Sequence, residues 1–413
     1  MRTRVVVFCL SVLSVLAPAI ARAQVDDPQH ADHATEQASS SPWMLMSDGV
    51  LFATFNHQGG PRGGDEFTST NWWMGMASRN AGAGRLTLTG MISLDPLTAT
   101  SRGYRELFQV GEEYQGQPLV DWQHPHDFLM QAAVVWRVPI GAESHLTIAG
   151  APVGEPALGP IAFMHRASAA DNPAAPLAHH TLDSTHIAMG VLTTAVEHGP
   201  FTIEGSIFHG AEPDDNRWDL MDPGALDSWS ARVWFRPSSE WQLQASHGFL
   251  KKPEALEAGD VRRTTASVDW LHASADDFTA ATIAVGRNDK EHGAFSAFLA
   301  ELTSHRGATS LYGRLESVDT ETALLQNPLT ADAGLNEPPS LVTALTIGAV
   351  RDLTRWRGFD VGAGADLTVY AVPDALRASH GDHPTSVHVF LRVRPPAGHM
   401  GRLWNMRMAK PGM

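Results

Sequence analysis

Six histidines, gathered into two short stretches beside aspartates, carry the most distinctive chemistry of this chain. The first stretch, Trp122–Phe128, reads W-Q-H-P-H-D-F. In extended backbone His124 and His126 project to the same side, and Pro125 fixes the chain between them. The second runs over 152–186 and holds Phe163-Met164-His165-Arg166, then His179-His180, then Asp183-Ser184-Thr185-His186. His179 and His180 are neighbours and point apart unless the chain turns there. Imidazoles suit Cu, Zn, Ni and Fe, and Asp127 and Asp183 are placed to complete or orient such a site. The thioether of Met164 tilts the choice of ion towards copper. The same residue types also bond to one another without any metal and stiffen a constriction, so both readings stand. Asp183, Ser184 and His186 include the groups of a hydrolytic triad, but they lie too close along the chain to converge as one. The sequence is therefore not read as that of an enzyme.

Thiolate ligands are not available to a site in the mature chain. Cys9 is the only cysteine, and it sits in a segment that reads as a cleaved export signal, residues 1–23. Arg2 and Arg4 open that segment, Val5 to Leu16 is a short apolar core, and Ala21-Arg22-Ala23 is an A-x-A cleavage pattern before Gln24. Cys9 lacks the small-residue context of a lipoprotein signal. The chain of 413 residues has 30 basic and 45 acidic residues, a net charge of −15, and loss of the leader removes only basic ones. So acidic a chain is a poor partner for nucleic acid and draws cations.

Elements must hold these residues, and period-2 alternation says what they are. In Phe359–Ala371, Phe359, Val361, Ala363, Ala365, Leu367 and Val369 alternate with Asp360, Gly362, Gly364, Asp366, Thr368 and Tyr370. Arg85–Asp95 and Ser386–Arg394 behave likewise. Such a pattern predicts strands with one apolar and one polar face. Strands are expected at 48–57, 70–79, 85–95, 127–138, 144–151, 185–196, 201–210, 228–236, 240–249, 263–273, 278–287, 294–304, 308–319, 340–351, 358–371 and 385–394. That makes about sixteen, or fourteen if the weak 144–151 segment and a neighbour drop out. Every second connection is tight: 80–84, 139–143, 197–200, 237–239, 274–277, 305–307 and 352–357. The others, 58–69, 96–126, 152–184, 211–227, 250–262, 320–339 and 372–384, are long, with only 288–293 short. Short turns at one end and long loops at the other belong to a transmembrane antiparallel up-and-down β-barrel, whose outside meets lipid and whose inside meets water. No run after residue 24 is long and apolar enough for a membrane-spanning helix.

The expected organisation is the leader, a disordered lead-in over 24–42, one barrel domain over 43–395 and a tail over 396–413. Of the 20 histidines, His57, His124, His126, His165, His179, His180, His186, His209, His247, His292, His380 and His383 fall in long connections or at strand ends facing them. Only His145, His198, His272 and His305 fall near short turns. The loop 211–227, with Glu212, Asp214, Asp215, Asp219, Asp222 and Asp227, is a solvated acidic loop or a seat for a hard cation.

The chain resembles a family of exported barrel-like proteins of proteobacteria, often encoded beside copper-resistance and heavy-metal efflux genes. The resemblance rests on W-Q-H-P-H-D (Trp122–Asp127), G-E-P-A-L-G-P (Gly154–Pro160), F-M-H-R-A-S (Phe163–Ser168) and N-P-A-A-P-L-A-H-H (Asn172–His180). D-S-T-H-I (Asp183–Ile187), R-W-D (Arg217–Asp219) and L-D-S (Leu226–Ser228) extend it over the middle third. It implies an envelope location, a copper context, and efflux or periplasmic copper-handling partners. It supplies no site residues of its own. The sequence thus predicts an outer-membrane barrel in contact with lipid. His124, His126, His165, His179, His180 and His186 are expected to contact a transition-metal ion, with Asp127 and Asp183 in support. A general diffusion porin for small solutes, with the cluster as a constriction, is the alternative.

Overall fold

Alternating residues become a continuous wall when each strand pairs with its neighbour. The structure, a computed structural model, describes residues 43–220, 222, 224–254, 259–326 and 338–401. The expected leader and lead-in, and the tail beyond 401, lie outside the described residues. The first strands are β1 (Met44–Gln58), β2 (Gly64–Thr68), β3 (Asn71–Ala81), β4 (Gly84–Ile92), β5 (Tyr104–Tyr114) and β6 (Gln117–Gln123). There follow β7 (Leu129–Gly141), β8 (Ser144–Gly154), β9 (Ala188–His198), β10 (Phe201–His209), β11 (Ser228–Phe235) and β12 (Trp241–Leu250). The chain ends with β13 (Val261–Ser274), β14 (Asp277–Lys290), β15 (Gly293–Arg306), β16 (Thr309–Thr320), β17 (Ser340–Trp356), β18 (Phe359–Ala371) and β19 (Thr385–Arg394).

β2 and β3 are two parts of one wall strand. β1 pairs with both in a single register, from Gln58 opposite Gly64 to Met44 opposite Ser78, broken only around Ser69 and Thr70. β5 and β6 form a hairpin apart from the wall. Sixteen wall strands remain, and β19 closes on β1 with Val393 opposite Leu51 and Ser386 opposite Gln58. All pairings are antiparallel, so the barrel is closed and leaves no open sheet edge.

The polarity is inverted relative to a water-soluble sandwich. On β14 Ile283 and Val285 face outward and are about half exposed, while Thr282 and Asn288 face inward and are buried. On β15 and β16 Leu302, Leu311 and Leu315 face out, and Glu301, Thr303, Arg314 and Glu316 face in. An apolar exterior over a polar interior is the lipid-facing arrangement. Exposed Trp136, Phe201 and Trp241 stand at the short-turn rim, where aromatic rings settle at a membrane interface. Tight turns there use left-handed residues: Arg357 (φ 49°) and Gly358 (φ 88°) link β17 to β18, as a two-residue hairpin twist requires.

One expectation about the loops needs correction. The connection after β1 is not long over 58–69, because β2 extends the wall and leaves only 59–63. The connection over 96–126 is long as expected, and β5 and β6 occupy most of it.

Candidate functional site: an imidazole cluster on a loop inside the barrel

Loop 155–187, between β8 and β9, does not stand outside the barrel. It enters the lumen and is bonded to the inner wall along most of its length. Ala157 N–H donates to Ser206 Oγ on β10 (2.8 Å) and Gly159 N–H to Ser246 Oγ on β12 (2.9 Å). Arg263 on β13 donates to Ser184 Oγ (3.0 Å) and to the His180 carbonyl (2.7 Å). Arg166 reaches Glu301 on β15 (2.8 Å), and Arg314 on β16 donates to the Ala174 carbonyl (3.0 Å). Arg392 on β19 pairs with Asp171. Short turns at Phe163–His165, Ala167–Ala169 and Ser184–His186, with one helical turn at His179–Leu182, keep the segment compact. Pro173 and Pro176 interrupt any longer helix.

A second loop, 93–128, packs on the first from the outer end. Its hairpin β5–β6 is pinned to β1, where Gln58 Oε1 accepts from Leu107 N–H (3.1 Å), and to loop 155–187, where Tyr104 Oη accepts from Ala175 N–H (2.9 Å). At the opposite mouth the chain turns inward after β19, and Ala397 and Met400 pack with Ala167, Ala170, Phe278 and Ala280. In consequence the inward positions of β14, β15, β16 and β19 are buried along nearly their whole length, Lys290 and Gly293 at the outer end excepted. Along these strands the lumen is packed.

The two loops bring five of the six expected histidines together. Ring centroids stand 5.1 Å apart for His179 and His186, 5.7 Å for His126 and His186, 5.2 Å for His179 and His180, and 5.7 Å for His124 and His180. Each of four rings offers Nδ1 to an acceptor: His126 to Asp95 Oδ2 (2.8 Å), His179 to Asp183 Oδ1 (2.6 Å), His186 to the Asp183 carbonyl (2.9 Å) and His124 to the Pro125 carbonyl (3.2 Å). A carbonyl or an ionised carboxylate can only accept, so Nδ1 carries the proton and a neutral ring turns its Nε2 lone pair elsewhere. The Nε2 atoms of His126, His179 and His186 are buried and have no hydrogen-bond partner. Phe163 walls the group, stacked on His126 and edge-on to His179 and His186.

Other expected site residues sit elsewhere. His165 is outside the group, its ring edge-on to Trp72 at 5.2 Å. Asp127 accepts from Arg217 (3.3 Å), tying loop 93–128 to loop 210–227. The orienting carboxylate for His126 is Asp95, which the sequence reading missed. Met164 is buried in an apolar cluster with Val50, Phe52, Trp72 and Met189. The suspected catalytic trio does not assemble: Ser184 Oγ accepts from Arg263, and Asp183 serves His179 and Arg166. In loop 210–227, carboxylate oxygens of Asp214, Asp219 and Asp222 lie within 4.8 Å of one another.

Electrostatics favour neutral ring and ionised carboxylate. Burial, reinforced by His179 and His126, pushes His186 well below the usual imidazole range. Burial pushes Asp183 upward, but the Arg166 guanidinium and the His179 bond outweigh it and hold the carboxyl well below the carboxylate range. A released loop would take up a proton at His186 below about pH 6.5, whereas the docked loop does not. The released form then binds more protons, so docking weakens as pH falls through that value. Asp183 loses its contribution only in far stronger acid. Cleavage of loop 155–187 by added protease is therefore expected to be faster at about pH 5.5 than at about pH 7.5, by up to roughly ten-fold. Equal rates would remove His186 as the cause.

No family model matches the chain, and no curated protein does either. Solved structures do. An anion-selective porin from Comamonas acidovorans superimposes with a TM-score of 0.53 at 11% identity, covering 86% of this chain and 100% of its own. OprB of Pseudomonas putida, in a high-pH structure, gives 0.51 at 10% identity, covering 86% and 94%. This is the fold of outer-membrane porins. The porin-type barrel expected from alternation and hairpin asymmetry is thus present. In this porin-type barrel the loop after β8 fills the lumen.

Proposed function

We propose that this chain is an outer-membrane channel of porin type, held shut by loop 155–187, and that the imidazole cluster on that loop contacts a transition-metal ion. One observation carries the channel reading: the polar inner wall is satisfied by a loop, not by neighbouring wall strands alone. Glu301, Arg314, Glu316 and Arg392 all face inward, and each has a partner on loop 155–187. Water can replace that loop as a partner, so the same wall suits a closed state with the loop in and a hydrated state with the loop out. The porins it resembles in fold, one of them anion-selective by its title, support a solute-passing role.

The metal reading is supported by the three buried, unpartnered Nε2 atoms. An all-imidazole donor set serves Cu, Zn, Ni and Fe alike. Copper is placed first by the resemblance to proteins encoded beside copper-resistance genes, and no longer by Met164. Efflux or periplasmic copper-handling partners rest on the same resemblance. The test is metal analysis of protein refolded in detergent, incubated with copper(II) chloride and desalted, alongside bilayer conductance. Wild type should retain the ion, and His126→Ala and His179→Ala should lose it. Equal retention in all three would remove the metal reading and leave the cluster as a plain constriction of the channel.

A further inference from the structure

The two loops that fill the lumen are separate pieces of chain, and each carries imidazoles into the same small volume. His126 belongs to loop 93–128, whereas His179 and His186 belong to loop 155–187. Each side is tied to the wall by a short bonded chain. From β3, Asn71 N–H donates to Asp95 Oδ1 (2.8 Å), and Asp95 Oδ2 accepts from His126 Nδ1. From β15, Glu301 pairs with Arg166, Arg166 with Asp183 Oδ2 (2.5 Å), and Asp183 holds both His179 and His186 at their Nδ1 atoms. β16, β17, β18, β19 and β1 separate these two wall strands on the shorter way round the barrel. The chains approach each other across the lumen and end on nitrogen lone pairs that no hydrogen bond uses.

We propose that His126, His179 and His186 form a three-imidazole site for a first-row transition-metal ion, and that the ion bolts loop 93–128 to loop 155–187, locking the barrel shut. The proposal rests on reading the cluster as a metal contact and adds a regulatory role to it. Imidazole nitrogen binds such ions at about 2.0–2.1 Å, so rings sharing one ion have centroids about 5–6 Å apart. His186 already stands at 5.1 Å from His179 and 5.7 Å from His126. The nitrogens have not yet converged to within 4.8 Å of one another, as the oxygens of Asp214, Asp219 and Asp222 have. Binding would require the rings to turn further inward until their Nε2 atoms converge. Asp95 and Asp183 are positioning residues that hold tautomer and orientation, as carboxylates behind metal-bound histidines do. Phe163 keeps the site dry on one side.

The experiment uses full-length exported protein refolded into liposomes, with zinc(II) chloride or copper(II) chloride as the probe and EDTA as the control. Hydrogen exchange of residues 155–187 is followed together with bound metal. Exchange in wild type should slow at least about ten-fold with metal present. His126→Ala lies on the other loop, yet it should abolish that protection. His126→Gln repeats the test should the alanine variant fold poorly, as judged by heat-modifiable gel mobility. Asp95→Asn keeps one acceptor oxygen and should weaken metal affinity about 10–100-fold, its exchange with metal being compared with its own exchange in EDTA. Metal that binds equally well to His126→Ala would overturn the bolt while keeping a metal contact on loop 155–187. Absence of binding to wild type would overturn the bolt and the metal reading together, with the channel reading left to its own conductance test.

Discussion

Replacing Arg166 by alanine should open the barrel. Arg166 is among the most deeply buried side chains, and its guanidinium joins Glu301 on the wall to Asp183 on the loop. It also donates to the Ile161 carbonyl (2.9 Å). Removing it leaves two buried carboxylates with reduced compensation, Glu301 held by Arg314 alone (2.9 Å) and Asp183 by His179. Removal of one member of a buried ion pair costs about 3–5 kcal/mol, because the remaining charge is left without compensation. Part of that cost vanishes if the loop leaves and both carboxylates meet water. The mutation therefore moves the balance between docked and released loop by up to about two orders of magnitude. The wall does not share the penalty, since its ladders are backbone bonds between strands. The expected result in planar bilayers is a nearly silent wild type and a variant with stable porin-type steps, folded barrel yield being unchanged. Arg166→Lys keeps the charge and loses the two-pronged contact with Glu301, so it should fall between. A silent alanine variant whose loop stays protected from protease would sink the loop as the closure.

The second large effect concerns the outside of the wall. Ile283 sits mid-way along β14 and is 54% exposed, whereas Leu341 is 55% exposed at the outer end of β17. In water two such residues would tolerate arginine equally. On a lipid-facing wall they do not, because arginine at the midplane costs about 2–4 kcal/mol and near the interface about 0–1. Ile283→Arg should lower the stability of liposome-embedded protein in urea titrations by that larger amount, and Leu341→Arg by little. Similar losses at the two positions would contradict a bilayer around this belt.

The wall was legible in the sequence because its signal is dense and redundant. Alternation fixes which face each residue takes over most of the wall, and the weak 144–151 segment is a wall strand as well. The tight turns were found but not their bounds: the connection expected over 352–357 is strand up to Trp356, and Arg357 and Gly358 alone make the turn. The hairpin β5–β6 was hidden because it packs among loops rather than between lipid and water, and Phe108 (φ 67°) and Asp121 (φ 60°) break its regularity.

At the site, residue type was readable and direction only partly so. His124 and His126 share a side, as two-residue spacing in extended chain requires. The same rule sends Asp127 the other way, to Arg217, and adjacency to His126 was a poor reason to enlist it. The turn at Phe163–His165 gives the cluster a phenyl ring and turns His165 towards Trp72. Asp95 could not have been found by local pattern. It lies 31 residues before His126 and meets it only because loop 93–128 doubles back.

The segment that turns inward after β19 also dictates an order of construction. Ala397 and Met400 rest on Ala167 and Ala170 as well as on Phe278 and Ala280 of β14, so their seat is only half built until loop 155–187 has gone in. The inturned segment therefore completes its contacts only after that loop has docked. A barrel caught half-assembled should have its cork still hanging free.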